Sequence, residues 1–327
     1  MGIRNKADWR PLAWLAMAAG LLAVEYTWSH LVFYLFWLNC YFAITAGVIA
    51  HNHNHCPIFA GKRWNGLLGH VLSFFYGYPT FVWVPTHNLN HHKHVNRAGD
   101  ATITWRITDR HNLFVAVTYF FVSVYHQSFP IKAFIRKAKA TNPQLHRRIQ
   151  WQYVIWLSAW LFMLLVGINL HGLRRGAVLW GLSIGLPALC SVWVITFFNY
   201  EQHVHTDPWS KHNHSRNFTG SLLNYLLFNN GFHGVHHDQP ALHWSKLPAA
   251  HGRIAAHIDP VLNQPSLPIY CVRQFLLAPI WHSLGTRQVG RAPYDARGSR
   301  TSLACDESEL GEAGSNSEMA AEGRVPN

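Results

Sequence analysis

Histidine is the residue type whose number and spacing in this chain point to chemistry. The 327 residues contain 24 histidines, against only 15 Asp and Glu residues. Neutral imidazole is a common metal ligand, and helical side chains three or four residues apart lie on one face, about 5–6 Å from each other. These spacings therefore predict metal chelation by three clusters: His51 and His55; His87, His91 and His92; and His233, His236 and His237.

The number of clustered histidines predicts more than one metal ion. A further cluster contains His203, which brings the candidate ligands to nine. Zinc is nearly always four-coordinate, so nine imidazoles exceed what one ion needs and favour two ions. Imidazole suits iron, copper, nickel and zinc about equally, so the residues alone do not select the metal. The isolated histidines elsewhere in the chain are interpreted as ordinary polar residues.

Long apolar segments flank these clusters and predict a membrane protein. A span needs about 20 mostly apolar residues, and four segments qualify, in two hairpins: 11–29, 31–50, 153–170 and 177–198. We therefore expect an all-α integral membrane fold. The remaining parts of the domain, 51–152 and 199–298, form a helical cap that carries the histidines. Three weaker apolar segments are expected to lie on the bilayer or half-buried in the cap: 66–84, 112–129 and 265–284.

Charge sets the expected orientation. Only 13% of the residues are charged, where a soluble domain carries about 25%. Residues 51–151 carry twelve Lys and Arg against Asp100 and Asp109, so the positive-inside tendency predicts that the cap and its histidines are cytoplasmic. Most bases lie beside apolar segments, so no nucleic-acid partner is expected. Glu25, near the far end of the first span, is expected to snorkel to the interface.

The cysteines and the acidic C-terminal segment give two further expectations about the fold. The five cysteines are scattered and lack a C-x-x-C spacing, which argues against a disulfide framework and a thiolate metal site. Residues 1–298 form one domain in this interpretation, and the acidic segment 299–327, rich in Gly, Ser and Glu, is expected to be a disordered tail.

The complete pattern resembles the integral-membrane fatty acid desaturase and hydroxylase superfamily. The runs His51-x-x-x-His55, His87-x-x-x-His91-His92 and His233-x-x-His236-His237 resemble its three histidine boxes. The stretch from Asn229 to His237 is similar to the third box with its lead-in, and Asn199-x-x-x-His203 is similar to the element after the last span. The resemblance covers roughly residues 10–260. The second box has one more residue before its histidine pair than many members have, which leaves His94 as an alternative to His87.

The resemblance implies cofactors, partners and an activity. It implies two non-haem iron ions, with His203 among the ligands and Asn199 reaching iron through water. It further implies an O₂-dependent oxidoreductase that takes electrons from a ferredoxin-, rubredoxin- or cytochrome b5-like donor and abstracts hydrogens from a lipid alkyl chain, most readily as a fatty-acyl desaturase. No separate catalytic side chain is assigned. Ordinary packing against lipid or in the core is expected for most aromatic residues of the spans, and a tunnel for the alkyl chain is the alternative role of Trp14, Phe33, Phe36, Trp37, Trp156, Trp160, Trp193 and Phe197.

Two alternatives remain open at the level of the sequence. The same scaffold in a hydroxylase would insert oxygen into an alkane, a carotenoid or a lipid, and product mass distinguishes that outcome. A more remote alternative is a metal transporter with cytoplasmic histidine sensors. A transporter needs ionisable residues along a path through the spans, and Glu25 is the only acidic residue in the predicted spans.

Overall fold

The computed structural model describes residues 2–294 and is mainly helical, as the sequence predicts. The acidic segment 299–327 lies outside the described residues. The α-helices are α1 (Trp9–Thr27), α2 (Val32–His55), α3 (Lys62–Tyr76), α4 (His92–His94), α5 (Leu113–Thr141), α6 (Pro143–His171), α7 (Leu173–Trp180), α8 (Leu186–His203), α9 (Ser221–Leu226), α10 (His233–Asp238), α11 (Leu247–Ile254) and α12 (Leu267–Val272).

Shorter elements complete the described chain. Two strands, β1 (Asn217–Phe218) and β2 (Asn263–Gln264), pair in parallel, a small exception to the all-α expectation. The π-helical segments are Val84–His91, Gly181–Gly185 and Arg273–Leu277. The 3₁₀ turns are Lys6–Asp8, Ser29–Leu31, Thr80–Val82, Trp244–Lys246, Ala255–His257, Pro260–Leu262 and His282–Leu284.

Three continuous helical segments within residues 2–294 are long and apolar enough to cross a membrane: Ser29–His55, Pro143–His171 and Leu173–His203. They contain three of the four predicted spans. The segment predicted as the first span forms α1, which is not among these three. Instead, Lys62–Tyr76 and Thr80–His94 meet the same criteria as a pair, bent by 98° as in a broken span or a re-entrant loop. This pair includes one of the segments expected to be interfacial, 66–84.

The described chain divides into two compact units. The first contains residues 2–83 and Ile135–Ile195, and the second contains Val84–Phe134 and residues 196–294. Helices α5 and α8 each continue from one unit into the other.

In the first unit, Glu25 is buried, so the expectation that it snorkels to the interface is wrong. Its carboxylate accepts a hydrogen bond from Asn39 Nδ2 at 2.7 Å, and its side chain is fully inaccessible to water. A carboxylate is tolerated away from water when a polar partner meets it, and α2 supplies that partner. The polar pair Glu25–Asn39 thus ties α1 to α2.

A small pocket lies beside this pair in the first unit. Its lining residues are Ala18, Leu22, Asn39, Phe42, Ala43, Phe74, Phe75, Ser183, Ile184 and Pro187. None of the span aromatics for which a tunnel was the alternative to ordinary packing is among them. Phe33 and Trp37 are 65% and 76% exposed, which places them on the outer surface of the helices.

Candidate metal centre

The second histidine box adopts a π-helix rather than the α-helix on which its spacing was judged. Val84–His91 is π-helical, and the short helix α4 begins at His92. In a π-helix the backbone hydrogen bonds join residues i and i+5, so its wider turn changes which side chains lie on the same face. The three histidines of this box, predicted to share one side, instead divide between two groups.

The first group, which we call group A, lies entirely in the second unit and contains four histidines: His91, His203, His233 and His237. One ring nitrogen of each lies within 4.8 Å of those of the other three. The Nε2 atom of His203 is 3.0 Å from that of His91 and 2.8 Å from that of His233, and the Nε2 atoms of His233 and His237 are 3.0 Å apart. Four imidazoles from three stretches of chain therefore converge on one point.

The second group, group B, brings together His87, His92 and His236 in the same unit. The Nε2 atoms of His87 and His92 are 3.0 Å apart, that of His92 is 3.1 Å from His236, and that of His87 is 3.3 Å from His236. The third box is therefore divided as well. His233 and His237, four residues apart on α10, face group A, and His236 faces group B.

The first box lies in the other unit, at the end of α2. The rings of His51 and His55 are 5.1 Å apart at their centroids, as expected for positions i and i+4 of a helix. His51 also packs edge to face on Trp83, at 5.3 Å. His53 is turned elsewhere, because its Nδ1 accepts a hydrogen bond from the backbone N–H of Ile58.

The ring of His94, the alternative to His87 in the sequence, packs against Gly99. Gly99 has a φ of +95°, which favours glycine, and a side-chain carbon there would lie 2.8 Å from the Cε1 atom of His94. His87, by contrast, has its Nε2 within 3.3 Å of two other histidines. The geometry therefore favours His87 over His94 as a member of the cluster.

A buried carboxylate fixes the orientation of His91. Asp100 is fully buried, and its Oδ2 lies 2.8 Å from His91 Nδ1. Burial alone would raise the pKa of the Asp100 carboxyl, but the charge and hydrogen bond of His91, together with hydrogen bonds from Thr102, hold that pKa well below its usual range. An ionised Asp100 accepts a hydrogen bond from the Nδ1–H of His91, which leaves the Nε2 lone pair facing group A. This carboxylate–histidine arrangement is typical of metal ligands.

His203 is oriented in a similar way by a backbone carbonyl. Its Nδ1 lies 3.2 Å from the carbonyl oxygen of His214, so the donor is Nδ1 and Nε2 is left as an acceptor toward group A. At His237, burial and then the neighbouring histidines, beginning with His92, lower the pKa well below its ordinary value. A neutral imidazole is the form that binds a metal ion.

The lead-in to the third box positions it through close backbone contacts. Gly231 N–H donates to Asn224 Oδ1, and a side-chain carbon at Gly231 would collide with the carbonyl oxygen of Phe218. Three residues on, Gly234 N–H donates to Asn217 Oδ1 at 2.9 Å. These glycines let the chain pass close to β1 just before and within α10, which fixes where the box begins.

Asn199 lies one helical turn before His203 on α8. Its Nδ2 is 3.5 Å from the hydroxyl of Tyr119, which donates a 2.5 Å hydrogen bond to the carbonyl of Thr102. Asn199 is thereby connected to the same loop that holds Asp100.

A second buried network braces the end of α8 beside His203. The Glu201 carboxylate accepts a hydrogen bond from the Tyr270 hydroxyl at 2.9 Å, and its Oε1 lies 3.2 Å from His111 Nε2. The Arg216 guanidinium donates to the Glu201 carbonyl and lies over the Tyr270 ring. Burial is the main cause that raises the pKa of the Tyr270 hydroxyl well above its ordinary value. The hydroxyl therefore keeps its proton and donates it in the hydrogen bond to Glu201.

The donor set fits metal ions. His91, His203 and His233 are buried and His237 is half-buried, and their Nε2 atoms face one another at 2.8–3.0 Å. Two facing imidazole nitrogens cannot both be acceptors or both be donors without repulsion, and a shared cation removes that conflict. The arrangement defines a class of protein: a helical membrane-type protein with buried histidine clusters that could bind metal ions.

Comparisons with known proteins identify the family. The profile described as "Fatty acid desaturase" matches residues 26–264. A fatty acid desaturase of Bacillus subtilis (strain 168) is 21% identical over 254 residues, covering 72% of this chain and 70% of that protein. No solved structure matches. The chain belongs to the fatty acid desaturase family, whose members are oxidoreductases.

Several residues of the site were not found from the sequence. Asp100 entered only the charge count, although it is one of two acids in residues 51–151 and lies between two histidine boxes. A carboxylate between two histidine boxes was the one feature of the sequence that could have marked Asp100 as a partner of a histidine ligand. Nothing in the sequence singles out Thr102, Tyr119 or the His214 carbonyl, because their roles depend on contacts made only in the fold.

Proposed function

We propose that this chain is a membrane fatty-acyl desaturase that uses two non-haem iron ions, O₂ and electrons from a donor protein. Group A is the observation that supports the proposal most strongly, since four imidazoles brought together from three stretches of chain have no other evident use. Family membership supports an oxidoreductase over the metal transporter considered above. The desaturase relative supports an acyl substrate.

The proposed ligands are the nine histidines of the sequence pattern. Group A supplies His91, His203, His233 and His237, and group B supplies His87, His92 and His236. His51 and His55 complete the set, and Asn199 acts through a water molecule, both by analogy with the family's motifs. When bound, the iron ions supply the oxidative chemistry that side chains lack.

The chain's own residues have three tasks in this proposal. The histidines present neutral Nε2 atoms, and Asp100 and the His214 carbonyl hold the Nδ1 protons of His91 and His203 so that these Nε2 atoms stay available. Asn199 positions water beside group A. The buried surroundings of the site keep bulk water away from it.

The proposed topology has four spans, with α1 as the span additional to the three apolar helices. The histidine boxes are cytoplasmic in this proposal, where the twelve bases of residues 51–151 support that orientation. The electron donor is a ferredoxin-, rubredoxin- or cytochrome b5-like protein that docks on the same side.

The experiment is lipid analysis of a host that expresses the chain. Gas chromatography with mass detection is expected to show acyl chains that have lost two hydrogens, and a His236→Ala variant at equal expression is expected to show none. A product that has gained one oxygen would replace the desaturase by the hydroxylase. Lipids identical to those of the variant, for acyl, alkane and carotenoid pools alike, would contradict both.

A further inference from the structure

A cluster of bases lies where α5 ends and α6 begins. We call it the basic corner and define it by five residues: Arg136, Lys137, Lys139, Arg147 and Arg148. Four of them are exposed, and Lys137 is half-buried. Measured along the two helices, all five lie within about 9 Å of Asn142, the residue at the junction. Their charges therefore add to a concentrated positive potential.

The sequence supplies no countercharge to this corner from its own helices. Between Asp109 and Glu201 the chain has no Asp or Glu. Helix α6 also begins at the corner, with no acidic residue in its first turn. The partial positive charge at the N-terminus of α6 is offset by the partial negative charge at the C-terminus of α5, which ends at Thr141, so the potential comes from the five side chains. A bound anion would relieve this repulsion.

The corner is placed at the edge of the lipid-facing part of α6. Only 6% of the apolar window of Pro143–His171 is buried, and the outward residues begin with Val154 and continue through Leu157 and Leu161. Val154 is about 9 Å along the helix from Arg148. Trp151, 55% exposed, lies between them, and exposed tryptophan is typical of the headgroup level of a membrane.

We propose that the basic corner is a binding site for the phosphate headgroups of anionic phospholipids. The inference uses the membrane placement of α6 in the proposed function and adds a lipid preference that desaturation does not require. Charge complementarity favours an anionic occupant, and the lipid-exposed face of α6 places phosphate headgroups within reach. Each base near a membrane surface contributes about fivefold to the affinity for anionic lipid.

The test is a lipid titration of the full chain purified in detergent, read by native mass spectrometry. Phosphatidylglycerol and phosphatidylcholine with identical acyl chains are compared, so that only the headgroup differs. The Arg147→Gln/Arg148→Gln variant is expected to lose up to about 30-fold of its affinity for phosphatidylglycerol and none for phosphatidylcholine. The matched control is Arg174→Gln/Arg175→Gln, which removes an exposed pair at the beginning of α7 and is expected to retain the preference.

Three results would overturn the proposal. One is equal affinity of the unmodified chain for the two lipids, and another is equal loss in the two double variants. The third is an unchanged lipid preference in Arg147→Gln/Arg148→Gln. If that variant also binds an acidic ferredoxin more weakly, the corner is a protein-docking surface. Iron content and acyl-product formation are measured on the same samples, so that failure of the lipid site is distinguished from failure of the proposed function.

Discussion

Replacing Asp100 by asparagine changes a single oxygen in a carboxylate that accepts four hydrogen bonds. Oδ2 accepts from His91 Nδ1 at 2.8 Å and from the backbone N–H of Asn96 at 2.7 Å. Oδ1 accepts from the backbone N–H and the hydroxyl of Thr102, both at 2.7 Å. An amide NH₂ can accept none of these, so either orientation of the asparagine leaves two buried donors without their acceptor.

The expected loss of stability follows from the number of buried donors left without an acceptor. A buried donor left unsatisfied costs about 1–3 kcal/mol, so Asp100→Asn is expected to lower the free energy of unfolding by about 2–6 kcal/mol. That is a large part of the roughly 5–15 kcal/mol typical of a whole domain. The metal centre is expected to suffer as well, because the carboxylate that orients His91 is lost. Such changes reduce metal affinity or activity about 10- to 100-fold.

The assay measures iron per chain, acyl-product formation and thermal unfolding of the purified variant. Asp109→Asn is the matched control, since Asp109 is the other acid of residues 51–151 and is exposed. The control is expected to resemble the unmodified protein in all three measurements. Full iron content and activity in Asp100→Asn would refute the role assigned to the carboxylate.

Two further substitutions test the geometry around the boxes. Gly231→Ala is expected to destabilise the protein or prevent it from folding, because the added carbon collides with the Phe218 carbonyl. The control is Gly252→Ala, whose added carbon meets no atom within 4 Å and which is expected to be neutral or stabilising. Thermal unfolding of the two variants measures the difference. His87→Ala is expected to reduce iron from about two to about one per chain, and His94→Ala to leave it unchanged. The reverse result in metal analysis would make His94 the ligand in place of His87.

The length of the apolar segments made the membrane-spanning helices predictable from the sequence. A run of apolar residues long enough to span a bilayer is legible without tertiary information, and three of the predicted spans lie inside helices of that kind. The prediction did not extend to Glu25, because its buried position depends on Asn39, fourteen residues away on the next helix. The residues next to Glu25 in the sequence do not show which side chain of another helix it will meet.

The site was predictable as a set of residues but not as a division into groups. The spacing of His233, His236 and His237 placed them together, yet group A takes two of them and His236 faces His87 and His92. The sequence has no marker for the π-helix that separates His87 from His91, since one extra residue in a turn depends on tertiary packing. The contacts of Asp100 are hidden for the same reason.

The most direct test of the central claim is metal analysis of the full chain purified after expression with iron supplied. The account predicts about two iron ions per chain, with zinc and nickel well below one. Two zinc or nickel ions without iron, or less than one ion of any metal in a folded protein, would contradict it.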